Sequence, residues 1–267
     1  MEKTWYNSNI HDASFISFKQ DFINSARGIN WLRRSFPFVK RGYLSIGNEL
    51  IIEQVDGLDE FKDKKVLVVG GGPSTRDIGY DESKYDSVVS LNHFFLHDKL
   101  SKTPLDLVTV SQEVDVLSKE FNDYIQEFRP IVCFENYLTK HPEKLLKFYN
   151  SYDKACMCHT RYMSVIGGCP RLIWLISSLR AAEIDIIGMD GAIKTLKIGD
   201  DANHAFQTSK KSRGTYDYDL YINIYRDFWS HLLRVFGESC KFTNLGYGHA
   251  WNMSTLVADK NGRLLNE

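Results

Sequence analysis

Short apolar runs rich in β-branched residues recur along the chain from residue 66 to residue 245. The first, Val66–Val69, follows a lysine-rich approach and leads directly into Gly70-Gly71-Gly72-Pro73-Ser74. A short apolar run bounded by charge and glycine is typical of a parallel strand that is buried on both faces. By the same pattern we predict further strands over residues 87–92, 105–110, 130–136, 184–187 and 240–245.

Between several of these strands the apolar residues change to helical spacing, which predicts helices over residues 114–128, 166–182 and 219–236. Strands that alternate with helices favour a parallel sheet with right-handed crossovers. The predicted fold is therefore α/β, a Rossmann-like, mostly parallel sheet flanked by helices. We expect it to occupy residues 62–267, with Val66–Val69 as a central strand.

The first 61 residues differ from the rest in their pattern of apolar, basic and aromatic residues. They are predicted to form an N-terminal helical and hairpin appendage. Apolar residues at three- and four-residue steps predict a helix over roughly 13–30, and residues 43–53 resemble a β-hairpin around Gly47-Asn48. Residues 31–41 are basic and aromatic. They suit either peripheral contact with a membrane or packing on the sheet domain with the arginines pointing outward, and we favour packing.

The glycine turn after the first strand is a candidate ligand site. Glycine lets the backbone turn tightly and approach a ligand, and a strand-to-helix turn presents amides to an anion, most often a phosphate. Gly70, Gly71, Gly72 and Ser74 are therefore candidate nucleotide-binding residues, and we expect Gly72 to leave room for a phosphate or ribose. The turn has neither the spacing of a dinucleotide fingerprint nor the lysine of a P-loop. A tight turn without a ligand is the alternative.

Polar residues also stand at the ends of other predicted strands, where parallel sheets bind their ligands. Asn92 and Ser111 follow the second and third strands and join the candidate nucleotide-binding set. Gly167 and Gly168 open the next predicted helix and form a second candidate anion cradle. Asp190 follows the strand at 184–187 and could hold a ribose hydroxyl, a substrate hydroxyl or a metal, with a helix cap as the alternative.

Residues 192–218 are polar with little periodicity, and a loop of this length inside a compact domain is often a functional lid. It contains Asp200-Asp201-Ala202-Asn203-His204, where a histidine stands among carboxylates and an amide. His204 is the candidate catalytic residue, because an imidazole titrates near neutral pH and can act as a general base. A loop histidine without a catalytic role is the alternative.

Composition narrows the range of functions. The chain has 267 residues, of which 43% are hydrophobic and 25% charged, and its net charge is −1. These values are those of a globular protein without the basic surplus of a nucleic-acid-binding one. Five cysteines include Cys156-Met157-Cys158 without a second pair, which favours reduced, buried thiols over a zinc site. Without a run of about 18 apolar residues or a signal-peptide core, we expect a cytoplasmic protein.

Four segments of the sequence, in their order along the chain, resemble the bacterial sialyltransferases of glycosyltransferase family 42. That family opens with a strand followed by G-N-G-P-S and then a strand ending C-N-Q-F, like Gly70–Ser74 and Leu91–Phe94 here. A small-residue turn opening a helix comes next, then a strand ending S-G-I-D, like Ile187–Asp190, and then a lid with a catalytic histidine, where this chain has His204. The motility-accessory glycosyltransferases and the 6-hydroxymethylpterin diphosphokinase-like proteins share the G-P-S turn.

The chain departs from the family pattern at three places. Gly71 stands where the family has an asparagine, and the turn at Gly167-Gly168 lacks the serine or threonine that meets the donor in the family. The tyrosines that steady the donor phosphate in the family have no clear match between Gly191 and Asn203.

The resemblance implies an inverting glycosyltransferase that moves a sugar, sialic acid or a related one, from a CMP-activated donor to a glycan acceptor. His204 would take the proton of the acceptor hydroxyl. CMP is a fair leaving group, so no metal is required, although Asp200-Asp201 keeps a magnesium-dependent reaction open. The alternatives are a magnesium-dependent pyrophosphokinase of the 6-hydroxymethylpterin diphosphokinase-like type and a non-catalytic nucleotide-binding module.

Overall fold

The computed structural model describes residues 41–46, 50–111, 114–135, 142–160, 167–190, 205–206 and 228–246. Within them, one sheet contains nine strands: β1 (Tyr43–Ile46), β2 (Leu50–Glu53), β3 (Lys65–Val69), β4 (Ser87–Leu91), β5 (Leu107–Val110), β6 (Ile131–Glu135), β7 (Ala155–Thr160), β8 (Glu183–Ile187) and β9 (Lys241–Asn244). The helices are α1 (Ser74–Asp77), α2 (Lys119–Phe128), α3 (Pro142–Ser151), α4 (Gly168–Ser178) and α5 (228–236). Short 3-10 turns occur at Leu58–Phe61, Glu82–Lys84, Phe94–Leu96 and Leu100–Lys102.

The order across the sheet is β1-β2-β7-β6-β5-β4-β3-β8-β9. The strands from β7 to β9 in this order all pair in parallel, whereas β1 and β2 pair antiparallel with their neighbours. The chain moves outward from β3 to β7 and then returns to the other side of β3 for β8 and β9. This reversal makes the gap between β3 and β8 the switch point of the sheet, the place where doubly wound folds bind ligands.

Helices cover both faces of the sheet, as predicted for an α/β fold. Successive side chains of β3 point to opposite faces of the sheet and pack in two different cores. Val66 and Val68 belong to one core, and Leu67 and Val69 belong to the other. On the first face α4 and α5 pack on the strands, and on the second face α2 and α3 do so together with the aromatic turn at Phe94–Leu96. The predicted fold class is confirmed, with β3 in the interior of the sheet between β4 and β8.

The hairpin predicted at residues 43–53 forms β1 and β2 at one edge of this sheet, where β2 pairs with β7. Glu53 at the end of β2 is fully buried, and its carboxylate accepts hydrogen bonds from the Arg41 amide (3.1 Å), the Tyr149 hydroxyl (2.6 Å) and the Met157 amide (3.1 Å). These three donors compensate the burial of the carboxylate and fasten the hairpin to β7 and α3. The helix predicted at 13–30 lies outside the described residues, as do residues 31–40, and the domain boundary at residue 61 stays a prediction.

The sequence patterns missed β7 and placed two helix ends imprecisely. β7 reads Ala-Cys-Met-Cys-His-Thr, which has little of the β-branched and aromatic character that marks a strand. α2 begins at Lys119, where the Ser118 side chain caps the first turn, rather than at residue 114. α4 ends at Ser178 rather than near residue 182, because Arg180 takes a left-handed conformation with φ of 68°.

The five cysteines are free thiols, and four of them are buried, which confirms the predicted state. Cys133 and Cys156 face each other across β6 and β7 with their sulfur atoms 3.2 Å apart. In the part of the chain that the structure describes, no helix is both long and apolar enough to cross a bilayer.

Candidate functional site

The candidate site lies at the carboxyl ends of β3, β4, β5, β8 and β9. Because these strands are parallel, their carboxyl ends lie side by side along one border of the sheet, which we call the carboxyl edge. The predicted site residues that the structure describes, together with Gly188, which was not predicted, form two adjacent groups there. The first, which we call the turn cluster, consists of Gly70, Gly71, Gly72, Ser74, Gly188 and Asp190. The second, which we call the amide corner, consists of Asn92, Ser111, Gly167 and Gly168.

The turn cluster is held together by hydrogen bonds between the glycine turn and the end of β8. The Gly70 amide donates to the Ile187 carbonyl (2.7 Å) and the Gly72 amide to the Gly188 carbonyl (2.8 Å). The Ser74 amide donates to Oδ2 of Asp190 at 2.8 Å. Three amides of the turn, those of Gly70, Gly72 and Ser74, therefore already donate to protein oxygens.

The glycines of the turn cluster allow two backbones to approach each other across the switch point. A β-carbon on Gly70 would lie 2.4 Å from the Gly188 carbonyl oxygen, and one on Gly72 would lie 2.5 Å from Oδ2 of Asp190. The expectation that Gly72 leaves room for a phosphate or ribose is wrong, because the Asp190 carboxylate fills that space. The sequence could not reveal this, since the two residues become neighbours only when β8 pairs with β3.

Ser74 and Asp190 are the polar side chains of the turn cluster, and both are buried. The Ser74 hydroxyl is fully buried and accepts a hydrogen bond from the Gly188 amide at 2.9 Å. Asp190 is 9% exposed, and its second oxygen, Oδ1, is buried without a hydrogen-bond partner among the described residues. The Asp190 carboxylate therefore lies at the glycine turn where an anion was predicted to bind, and its negative charge disfavours a second anion there.

Cys169, the second residue of α4, links the two groups. Its sulfur would lie 3.1 Å from a β-carbon on Gly70. Burial and, to a smaller extent, the nearby Asp190 carboxylate raise the pKa of the Cys169 thiol to about 12. The thiol is therefore protonated at neutral pH, which disfavours a nucleophilic role because the thiolate is the reactive form.

The amide corner, in contrast, presents hydrogen-bond donors. Asn92 has a φ of 53°, uncommon for a residue other than glycine, and its Oδ1 accepts the Ser111 amide at 2.9 Å. That bond identifies the other terminal atom as the amide nitrogen, which lies 3.4 Å from where a β-carbon on Gly168 would be. The Asn92 amide group therefore stands against the first residue of α4.

The N-terminus of α4 completes the amide corner. Gly167 precedes the helix with φ of 86° and ψ of 176°, and as a glycine it supplies no side chain to cap the first turn. The first amides of an α-helix have no partner within the helix, and the helix dipole adds partial positive charge at this end. A helix N-terminus beside a side-chain amide is suited to an anion, and the anion cradle at Gly167 and Gly168 stays a prediction.

The polar loop that contains His204 reaches the same edge of the sheet. Ala205 and Phe206 are the described residues of this loop, and both are buried. The Ala205 amide donates to the Gly71 carbonyl at 2.9 Å, and the Phe206 ring meets the His97 ring edge-on at 6.0 Å. His204 itself lies outside the described residues, as do Asp200-Asp201, so the assignment of His204 as the catalytic residue stays a prediction.

Sequence reasoning missed several residues of this edge. Thr75 donates its hydroxyl proton to the Gly70 carbonyl at 2.7 Å, and a β-carbon on Gly246, after β9, would lie 2.8 Å from Oδ1 of Asp190. A threonine directly after a G-P-S turn was the available signal for the first, whereas nothing in the sequence pairs Gly246 with Asp190. Within the described ranges, no cluster of three or more His, Cys, Asp or Glu side chains is arranged to hold a metal.

Comparison with known proteins finds similarity in structure but not in sequence families. No family model matches the sequence, and no curated protein matches it. The fold is similar to that of the sialyltransferase CST-II, in a crystal structure of a single-residue variant in complex with CMP, with 15% sequence identity and a TM-score of 0.44. The match covers 68% of this chain and 81% of that one. At this level of similarity, the likeness carries no information about the ligand or activity of this chain.

Proposed function

We propose that this protein is a glycosyltransferase that takes its sugar from a CMP-activated donor, sialic acid or a related sugar, and gives it to a glycan acceptor. The observation that supports the proposal most is the amide corner. It presents the Asn92 amide and a helix N-terminus that its N-cap glycine leaves without a side-chain cap, at the carboxyl ends of the parallel strands next to the switch point. The segments that resemble family 42 also lie at these strand ends, as far as the structure describes them. Their resemblance implies the same class of donor, a CMP-activated sugar.

In the proposed complex the donor phosphate binds at the amide corner. The Asn92 amide and the first amides of α4 donate to its oxygens, and the partial positive charge of the helix end stabilises its charge. Asp190 follows β8, which β3 separates from the strand that ends before Asn92, so its negative charge disfavours a phosphate at the turn cluster and favours the amide corner. The turn cluster then borders the nucleoside rather than the phosphate.

The proposed reaction is an inverting displacement at the anomeric carbon. The acceptor hydroxyl oxygen forms a bond to that carbon while the bond from the carbon to the phosphate oxygen breaks, and CMP leaves with the electron pair. His204 accepts the proton of the attacking hydroxyl, as general bases do at a positioned nucleophile. The bond between the Ala205 amide and the Gly71 carbonyl supports this assignment, because it holds the residue after His204 beside the candidate site.

The binding of the donor is tested by titration calorimetry with CMP, CDP, UDP, ATP and GDP, each with and without magnesium. We expect CMP to bind without magnesium. Tight binding of ATP that requires magnesium would instead support the pyrophosphokinase alternative. Binding of CMP without any turnover of a CMP-sugar in the presence of glycan acceptors would support a non-catalytic module.

Asn92→Asp is the sharpest variant for this test. Aspartate has the same shape, tolerates a positive φ and keeps an oxygen that can accept the Ser111 amide, but it places a negative charge at the amide corner. We expect CMP affinity to fall at least tenfold, roughly 1.4 kcal/mol or more, with little change in thermal stability. Asn92→Gly, which keeps the backbone conformation and adds no charge, is the control and should lose less affinity. Unchanged CMP affinity in Asn92→Asp would contradict the placement of the phosphate.

A further inference from the structure

Phe206 lies in the mostly polar segment 192–218, yet it is only 1% exposed. It belongs to the same core as Val69 at the end of β3 and Ile187 at the end of β8. Ala205 before it is 4% exposed and forms the hydrogen bond to the Gly71 carbonyl. A buried ring and a backbone hydrogen bond on consecutive residues fix the loop at one point of the sheet edge.

His97 forms the other side of this contact. Its ring is buried, meets Phe206 edge-on with an interplanar angle of 72°, and is itself held in place. Its Nδ1 atom accepts the amides of Lys99 and Leu100, both at 3.3 Å. The Phe206 ring therefore packs against a side chain whose orientation is fixed by backbone donors.

We propose that Phe206 is a positioning residue, which anchors the loop beside the glycine turn and thereby sets the place of the residue two positions before it, His204. This inference rests on the proposed function, in which His204 is the base. Consecutive Cα atoms are about 3.8 Å apart, so fixing Ala205 at Gly71 limits how far its predecessor can lie from the turn. The anchor acts through Ala205 and His204 and touches no substrate.

The competing interpretation is that Phe206 is one more core residue, whose loss lowers stability alone. Phe121 is a suitable matched control, because its side chain is also fully buried in the same core, among Phe94, Phe95 and Phe148. It lies on α2 and forms no contact with the glycine turn among the described interactions. Phe206→Ala and Phe121→Ala therefore remove the same side chain from the same core at two places.

Two measurements separate these interpretations. In the transferase assay with a CMP-sugar, Phe206→Ala should lower kcat by about tenfold to a hundredfold while the KM for the donor changes by less than about threefold. Phe121→Ala should leave kcat within about threefold at a temperature where both variants are folded. Phe206→Leu, which still fills most of the space, should recover most of the kcat.

The second measurement does not require activity. Trypsin can cleave the loop at Lys210, Lys211 and Arg213, and Phe206→Ala should raise the cleavage rate there at least tenfold above that of Phe121→Ala under native conditions. Equal cleavage rates in the two variants, or equal kcat values, would overturn the proposed role of Phe206. If Phe206→Ala does not fold, Phe206→Leu decides by the same comparison with Phe121→Leu. A wild-type protein that binds no CMP and transfers no sugar would refute the proposed function, while the cleavage ratio would still decide whether the anchor exists.

Discussion

Gly72→Ala tests whether the glycine turn is a packed junction between two strand ends. The added β-carbon would lie 2.5 Å from Oδ2 of Asp190 and 2.8 Å from the Gly188 carbonyl oxygen. Ordinary contact begins at 3.4 Å, so Oδ2 must retreat by about 0.9 Å. That oxygen accepts the Ser74 amide at 2.8 Å, and a retreat of this size breaks the bond.

The expected cost combines two effects. Losing a hydrogen bond to a charged group costs about 1.5–3 kcal/mol, and forcing an extra methyl group into a packed site costs about 1–3 kcal/mol. Because relaxation relieves part of the clash, we expect the free energy of unfolding to fall by about 2–5 kcal/mol. This would be measured by guanidinium unfolding, as a lower midpoint with an unchanged slope. Gly42→Ala is the control, since among the described residues its β-carbon would meet only Gln54, at an ordinary 3.6 Å, and it should change stability by less than about 0.5 kcal/mol.

A double-mutant cycle identifies the clashing group. Asp190→Ala removes the carboxylate, so Gly72→Ala should cost about 1–3 kcal/mol less in that background, with the remainder due to the Gly188 carbonyl. The packing argument would be refuted if the losses in unfolding free energy of Gly72→Ala and Asp190→Ala were additive in the double mutant. It would also be refuted if Gly72→Ala were as stable as Gly42→Ala. In that case the space at Gly72 would be open to a ligand, as the sequence pattern suggested.

Three further predictions concern other parts of the molecule. His204→Ala should cut turnover by about two to four orders of magnitude with donor affinity nearly intact, and wild-type kcat would exclude His204 as the base. Burial lowers the pKa of His97, offset in part by Asp98. The neutral ring therefore contributes stability that is present above about pH 6.5 and lost as the pH falls further. Between about pH 8 and about pH 5, the free energy of unfolding, measured by chemical denaturation, should fall less for His97→Asn than for the wild type. An equal fall in both proteins would contradict this. Glu53→Gln should lower the unfolding free energy by about 2–4 kcal/mol, because its amide N–H2 would face the Met157 or the Arg41 backbone amide, which can only donate. A loss under about 0.5 kcal/mol would show that the buried charge contributes little.

The sequence alone determined the fold class and the edge of the sheet at which to look for a site. Apolar runs such as Val66–Val69 and Ile184–Ile187 report burial on both faces, which is a local property of each strand. The polar residue after each run marks where that strand ends, and parallel pairing brings all such ends to one edge. The strand pattern was therefore enough to assign Asn92 and Asp190 to the same edge.

Only the tertiary structure decided what these residues do for one another. The order of strands places β8 against β3, which brings the Asp190 carboxylate to Gly72 and turns an expected phosphate cradle into a packed junction. It also brings the N-terminus of α4 to Asn92 and ties Ala205 to Gly71. Each of these contacts joins residues about 75 to 135 positions apart, a distance over which the periodicity of secondary structure holds no information. The strand-end residues of this protein could thus be predicted one at a time, whereas their partners depended on the path of the chain through the sheet.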